Sequence, residues 1–299
     1  MTKFENEELI KFLENAVSPE DASIEEIRAA SDARSIAPLA EGASCTEVSM
    51  AGIAAERHDP ANAVDGRVVL HFHGGGYVTG SPKSHRAMGS NIAAAAGAKL
   101  YMVEYRLAPE HPFPAAFDDC FATYKSLLDD GYKTENICVV GDSAGGGLAV
   151  AVLVKARELG LPMPSCCVIL SPWTNLTLSH DLLNKKSDVD PTNFRGRLQK
   201  MVDRYLGDQD VRTPFASPLF ADLTGLPPLL VHVGSGELLR GDAEDLHAKA
   251  LADGVASTFE AWPDMVHVWH HYANRLSESR DAIVRVGEFI KASWQAAAA

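Results

Sequence analysis

From Gly42 onward the chain repeats one pattern: a short apolar run of strand length, then a longer stretch with helical spacing. The runs fall near Thr46–Glu56, Arg67–Phe72, Lys99–Val103, Ile137–Val140, Cys166–Leu170, Leu229–Val233 and Thr258–Ala261. Parallel strands need crossover connections, usually helices, whereas antiparallel ones can be joined by tight turns. The alternation therefore predicts an α/β fold, a mostly parallel sheet with helices on both faces. With 299 residues, 46% of them hydrophobic and 22% charged, the chain can bury a large core.

Two segments interrupt the rhythm. The first forty residues carry two amphipathic helix patterns, one around Glu8–Ala16 and one starting at Ser18-Pro19-Glu20-Asp21, with Ser18 as N-cap and Pro19 at the first helical position. Between Trp173 and Pro227 lies a proline-rich insertion with one amphipathic helix around Asn193–Leu206. The chain thus divides into N-terminal cap helices (1–42), a first core part (43–172), a cap insertion (173–227) and a second core part (228–299). The two cap segments are expected over the carboxyl edge of the sheet, where open α/β sheets bind ligands.

Charge narrows the partners. Lys and Arg number 27 against 40 Asp and Glu, a net charge of −13. That balance repels nucleic-acid backbones and anionic membranes, and no basic patch offsets it. The five cysteines, Cys45, Cys120, Cys138, Cys166 and Cys167, are odd in number, lack CxxC spacing and include three within apolar strand runs. They read as buried thiols in a reducing compartment, with no metal implied. The acidic amino terminus has no apolar signal core and no run suits a membrane span, so a cytoplasmic protein is expected.

The most informative residues are Gly141-Asp142-Ser143-Ala144-Gly145, between the apolar run Ile137–Val140 and a small-residue helix. G-x-S-x-G at a strand-to-helix turn is a nucleophile elbow, which lifts the serine Oγ above the sheet edge. The pattern also arises by chance in glycine-rich turns, but here strand and helix flank it correctly. His73-Gly74-Gly75-Gly76-Tyr77 follows an earlier strand. Its consecutive glycines leave backbone N–H groups uncovered, as an oxyanion hole requires. A phosphate loop would need a Gly-Lys-Ser/Thr that is absent. His73 is expected to organise this loop by hydrogen bonding and not to act as a base.

On this kind of fold the acid and the histidine follow the serine. Among the later histidines, His180 lies in the insertion, His232 in a strand and His247 on a helix, while His267, His270 and His271 follow the last strand. His267, first after the turn Trp262-Pro263-Asp264-Met265, is the candidate base. Glu237, first acid past the strand Leu229–Val233, is the candidate to orient it, with Asp242 as competitor.

Three motifs in this order resemble the bacterial hormone-sensitive-lipase family of esterases, family IV of the α/β-hydrolase superfamily. They are His73-Gly74-Gly75-Gly76, the stretch Tyr105-Arg106-Leu107-Ala108-Pro109-Glu110-His111-Pro112-Phe113-Pro114-Ala115-Ala116, and Gly141-Asp142-Ser143-Ala144-Gly145. The likeness extends from about residue 65 to the end. It implies an α/β-hydrolase fold of about eight strands under a helical cap, Ser143 as nucleophile, His267 as base, and Gly75, Gly76 and Ala144 as oxyanion donors. It also suggests a homodimer. The family's acid motif reads Asp-Pro-Leu, whereas this chain has Glu237-Leu238-Leu239.

The reading that follows is a serine carboxylesterase acting on short-chain esters through an acyl-enzyme, with a small ester as its only required partner and no metal or organic cofactor. Two alternatives share the fold. One is a catalytically silent small-molecule receptor, which would lack a member of the triad. The other is an amidase or peptidase using the same triad, which would need an extended substrate groove and protonation of a poorer leaving group.

Overall fold

The computed structural model describes residues 3–16, 22–33, 37–185, 187 and 190–298. One sheet of eight strands organises them: β1 (Ser44–Met50), β2 (Ile53–Asp59), β3 (Val68–Phe72), β4 (Lys99–Val103), β5 (Ile137–Asp142), β6 (Cys166–Leu170), β7 (Leu229–Gly234) and β8 (Ser257–Trp262). Their order is β1-β2-β4-β3-β5-β6-β7-β8. From β4 to β8 every neighbouring pair is parallel, and β1 and β2 add an antiparallel edge.

Every residue of β3, β5, β6 and β7 is buried, which explains why these strands read as unbroken apolar runs. Successive side chains serve opposite cores. Val68, Leu70, Phe72 and Val139 face one, and Val69, Cys138 and Val140 face the other. The first is closed by α4 (Ala115–Asp129), α5 (Ala144–Glu158) and α7 (Arg240–Ala252), the second by α3 (Pro82–Ala96) and α8 (Ser277–Ala297). Among the described residues no helix is long and apolar enough to cross a membrane.

One expected strand is in fact two. The run Thr46–Glu56 is not one strand: it is a hairpin in which Met50 pairs with Ile53 across Ala51 and Gly52. Both turn residues have positive φ, +52° and +82°, the geometry of a two-residue hairpin loop. Ala-Gly is a weak turn signal, so the apolar alternation reads straight through it. The helix start at Ser18–Pro19 lies outside the described residues. The described helix α2 spans Ile24–Ala33, where Ser23 Oγ accepts from Glu26 N–H at 3.2 Å and Ser23 N–H donates to the Glu26 carboxylate at 2.8 Å, a reciprocal cap.

Helix α1 (Lys3–Ala16) and α2 precede the hairpin, and α6 (Arg195–Leu206) lies within the long segment between β6 and β7. Arg28 fastens α2 to the core. Its guanidinium donates to the carbonyls of Val78 and Ala108 at 2.9 Å each and pairs with Glu110 at 2.7 Å. On α6, Tyr205 stacks on Tyr77 with ring centroids 3.9 Å apart, joining that helix to the glycine loop after β3.

Candidate active site

β5 ends in a turn that few sequences can make. Ser143 has φ +52° and ψ −120°, a strained conformation for a residue with a side chain. Its neighbours must be small. A Cβ on Gly141 would stand 2.1 Å from the carbonyl oxygen of Gly145, and one on Gly145 would stand 1.9 Å from that of Phe72. The turn leaves Ser143 only 8% exposed, facing a cavity of about 140 Å³ whose walls include Gly75, Gly76, Leu198, Met201 and His267. Helix α5 begins at Ala144, so its first N–H groups have no intrahelical partner and its positive end faces this cavity.

His267 lies beyond β8 and bridges the other two candidates. Its Nδ1–H donates to Glu237 Oε2 at 2.7 Å, and its Nε2 accepts from Ser143 Oγ at 2.9 Å. Glu237 is buried and accepts two more bonds on Oε1, from Gly234 N–H at 2.6 Å and from Ser171 Oγ at 2.6 Å. Burial pulls His267 toward the neutral form, but the facing Glu237 carboxylate more than offsets this and raises its pKa above 6.5. Asp242, the competing acid, is engaged elsewhere: it accepts the backbone N–H groups of Thr174 and Asn175 at 2.9 Å each.

The glycine loop is held by its carbonyls. His73 Nδ1–H donates to the Gly74 oxygen at 2.8 Å, while Val78 N–H, Thr79 N–H and Thr79 Oγ all donate to the Gly75 oxygen at 3.2, 2.9 and 2.9 Å. In a trans peptide the C=O and the following N–H point in opposite directions. Tying these two carbonyls therefore turns the N–H groups of Gly75 and Gly76 away from the ties. Gly75, at φ +120°, leaves no room for a side chain, since a Cβ would stand 2.1 Å from the Thr79 oxygen.

Several supporting residues have roles that the motifs do not reveal. Asp142, second in the elbow motif, accepts from Gly74 N–H at 3.0 Å, from His71 Nε2 at 3.0 Å and lies 3.2 Å from His85 Nε2, linking elbow to glycine loop. Although burial pushes its carboxyl upward, the two imidazoles hold it well below the usual range. Ser171, at φ +47° just past β6, also accepts from Val268 N–H at 3.1 Å and so ties the Glu237 and His267 loops together. Tyr105 donates to the His73 carbonyl at 2.7 Å and stacks on its ring. That contact, with Arg106 paired to Asp119, gives the stretch from Tyr105 to Ala116 its structural role.

Among the described residues none of the other histidines is hydrogen-bonded to Ser143 Oγ. His232 pairs with His270 at 3.2 Å, His247 with Ser257 at 2.8 Å, and His180 caps a short turn at Leu182. His271 borders the cavity and an adjoining one of about 130 Å³. Donor atoms of His85, Asp142 and His271 lie within 4.8 Å of one another.

A parallel sheet covered on both faces, with a serine elbow at its carboxyl edge, defines the class as the α/β-hydrolase fold. A family model described as alpha/beta hydrolase fold matches residues 69–271. An acetyl-hydrolase of Streptomyces hygroscopicus is 46% identical over 230 residues, 76% of each chain. An esterase from the bacterial hormone-sensitive lipase family superimposes with a TM-score of 0.95 at 40% identity, over 98% of this chain and 99% of that one. The esterase EstE5, in a crystal soaked with p-nitrophenyl butyrate, does so with a TM-score of 0.92 at 44% identity, over 97% and 99%. The chain belongs to the α/β-hydrolase family and, within it, to the hormone-sensitive-lipase-like carboxylesterases. It is a serine carboxylesterase, a carboxylic ester hydrolase.

Proposed function

We propose that Ser143, His267 and Glu237 hydrolyse short-chain carboxylic esters through an acyl-enzyme. Ser143 Oγ attacks the carbonyl as His267 Nε2 takes its proton. Glu237 holds the imidazole in the required tautomer and stabilises the imidazolium. The N–H groups of Gly75, Gly76 and Ala144 receive the oxyanion. His267 then returns the proton to the leaving alkoxide, the acyl group stays on Ser143, and a water activated by the same imidazole releases the acid. The observation carrying this reading is the unbroken chain from Ser143 through His267 to Glu237, at 2.9 and 2.7 Å.

The oxyanion assignment has its own test. Gly75→Ala places a methyl against the Thr79 carbonyl and is expected to lower kcat by about 10²–10³-fold, with KM much less affected. Steady-state kinetics on a variant with a native circular dichroism spectrum check this. An unchanged kcat would remove Gly75 from the hole.

Acyl length follows from the enclosure. The cavity at Ser143 is close in size to cavities that hold a benzene ring, and it is bounded by Ile27 and Ser31 of α2 and by Leu198 and Met201 of α6. Residues 1–42 and 173–227 accordingly act as one cap over the core formed by 43–172 and 228–299. In a series of p-nitrophenyl esters, kcat/KM is expected to peak at acyl chains of about two to six carbons. A maximum at about twelve carbons or more would contradict the cap's restriction. Matched esters and anilides, assayed side by side, separate ester from amide hydrolysis, and turnover of the ester alone is expected.

Five unpaired cysteines, four of them buried, suit a cytoplasmic location. The acidic surface suits a small ester and no nucleic acid. A homodimer rests on family likeness, and sedimentation would test it.

A further inference from the structure

At the antiparallel edge of the sheet, apart from Ser143, three donors of different chemistry converge. Cys45 in β1 stands directly opposite His58 in β2, and Glu56 lies two residues before His58, so all three side chains leave the same face. Cys45 Sγ lies 3.2 Å from Glu56 Oε2, and His58 Nε2 lies 3.8 Å from the same oxygen. One donor atom of each residue lies within 4.8 Å of the other two. The Glu56 carboxylate also accepts from Arg86 Nε at 2.9 Å and from Arg86 Nη2.

His58 is the unexplained group. It is wholly buried, and neither ring nitrogen has a hydrogen-bond partner among the described residues. A buried polar group normally has a partner, and one without it forfeits the bonds water would supply. A neutral imidazole presents a lone pair to a cation, and both nitrogens of this buried ring lack any other hydrogen-bond partner among the described residues.

We propose that Cys45, Glu56 and His58 form a binding site for a divalent cation of the zinc type. Thiolate, carboxylate and imidazole are zinc donors, and their bond lengths of about 2.0–2.3 Å place tetrahedral ligands roughly 3.3–3.8 Å apart. The separations of 3.2 and 3.8 Å approach that spacing. The cation takes the place of the Cys45 S–H hydrogen on Glu56. One proton leaves to solvent, Sγ and Oε2 become ligands, Nε2 completes the protein set, and no electrons are transferred. A water fills the fourth position. Arg86 remains on the carboxylate and offsets its charge. Cys45 is partly exposed, which gives the cation a way in.

Cobalt(II) is the probe, because a thiolate bound to it produces a near-ultraviolet charge-transfer band. The other four cysteines are buried, so such a band reports Cys45. Titrating the intact protein is expected to give a band that saturates at one equivalent and is displaced by zinc, with ester turnover unchanged within about twofold. Cys45→Ser is expected to abolish the band, and His58→Gln to weaken binding at least about tenfold. Absence of the band, or its persistence at full strength in both variants, would overturn the proposal. So would cobalt binding that inhibits turnover without a thiolate band, which would point to His85, Asp142 and His271 beside Ser143.

Discussion

Ser143→Ala is expected to lower kcat/KM for p-nitrophenyl butyrate by about 10⁴–10⁶-fold while the protein keeps its fold. The size of the loss follows from what alanine removes. On the proposed mechanism no acyl-enzyme forms without Oγ, and water must attack in a site that holds a side chain 2.9 Å from the imidazole. Some acceleration should survive, because a preorganised glycine loop still favours an oxyanion. The fold should survive as well, since Ser143 donates its backbone N–H to the Leu170 carbonyl at 2.9 Å whatever its side chain. Steady-state kinetics and circular dichroism on the purified variant check both halves. Turnover within tenfold of the native rate would exclude Ser143 as nucleophile.

Glu237→Gln is expected to cost about 10³–10⁴-fold in kcat. The amide fits the same space, but it can present N–H to His267 Nδ1 and stabilise the tautomer whose Nε2 carries hydrogen, which cannot accept from Ser143. A second signature separates this from misfolding. Only neutral imidazole accepts the serine proton, so kcat/KM falls as pH drops through the His267 pKa. Glu237 holds that pKa above 6.5, and removing the carboxylate should move the acid limb to lower pH. A pH profile measures the shift. An unchanged limb with full activity would pass the role to another group, and Asp242→Asn is the paired control, since Asp242 is occupied by Thr174 and Asn175.

The parts of this molecule most legible in sequence are those where backbone geometry restricts composition. Gly141 and Gly145 flank Ser143 because a Cβ at either would strike a carbonyl, so the elbow is written in the residues themselves. His267 and Glu237 were reachable through chain order and their places just past apolar strands, and the structure brings both to Ser143. The residues that hold the site were less legible. Ser171 acts through a hydroxyl and a left-handed backbone at a position without a motif, and Asp142 occupies the variable place in its own. His71 and His85 reach Asp142 from separate elements, a relation only the folded sheet creates. At the other edge, the Ala51–Gly52 turn lacked the Asn-Gly or Asp-Gly pair that would have divided one expected strand into two.

Whether one serine carries the acyl group can be read by covalent labelling. A p-nitrophenyl alkylphosphonate should inactivate the enzyme in step with p-nitrophenol release. Peptide mass mapping should then find one phosphonyl group, on Ser143, and none on the inactive Ser143→Ala variant. Complete inactivation with the label on another residue, or full activity in protein labelled at Ser143, would contradict the account.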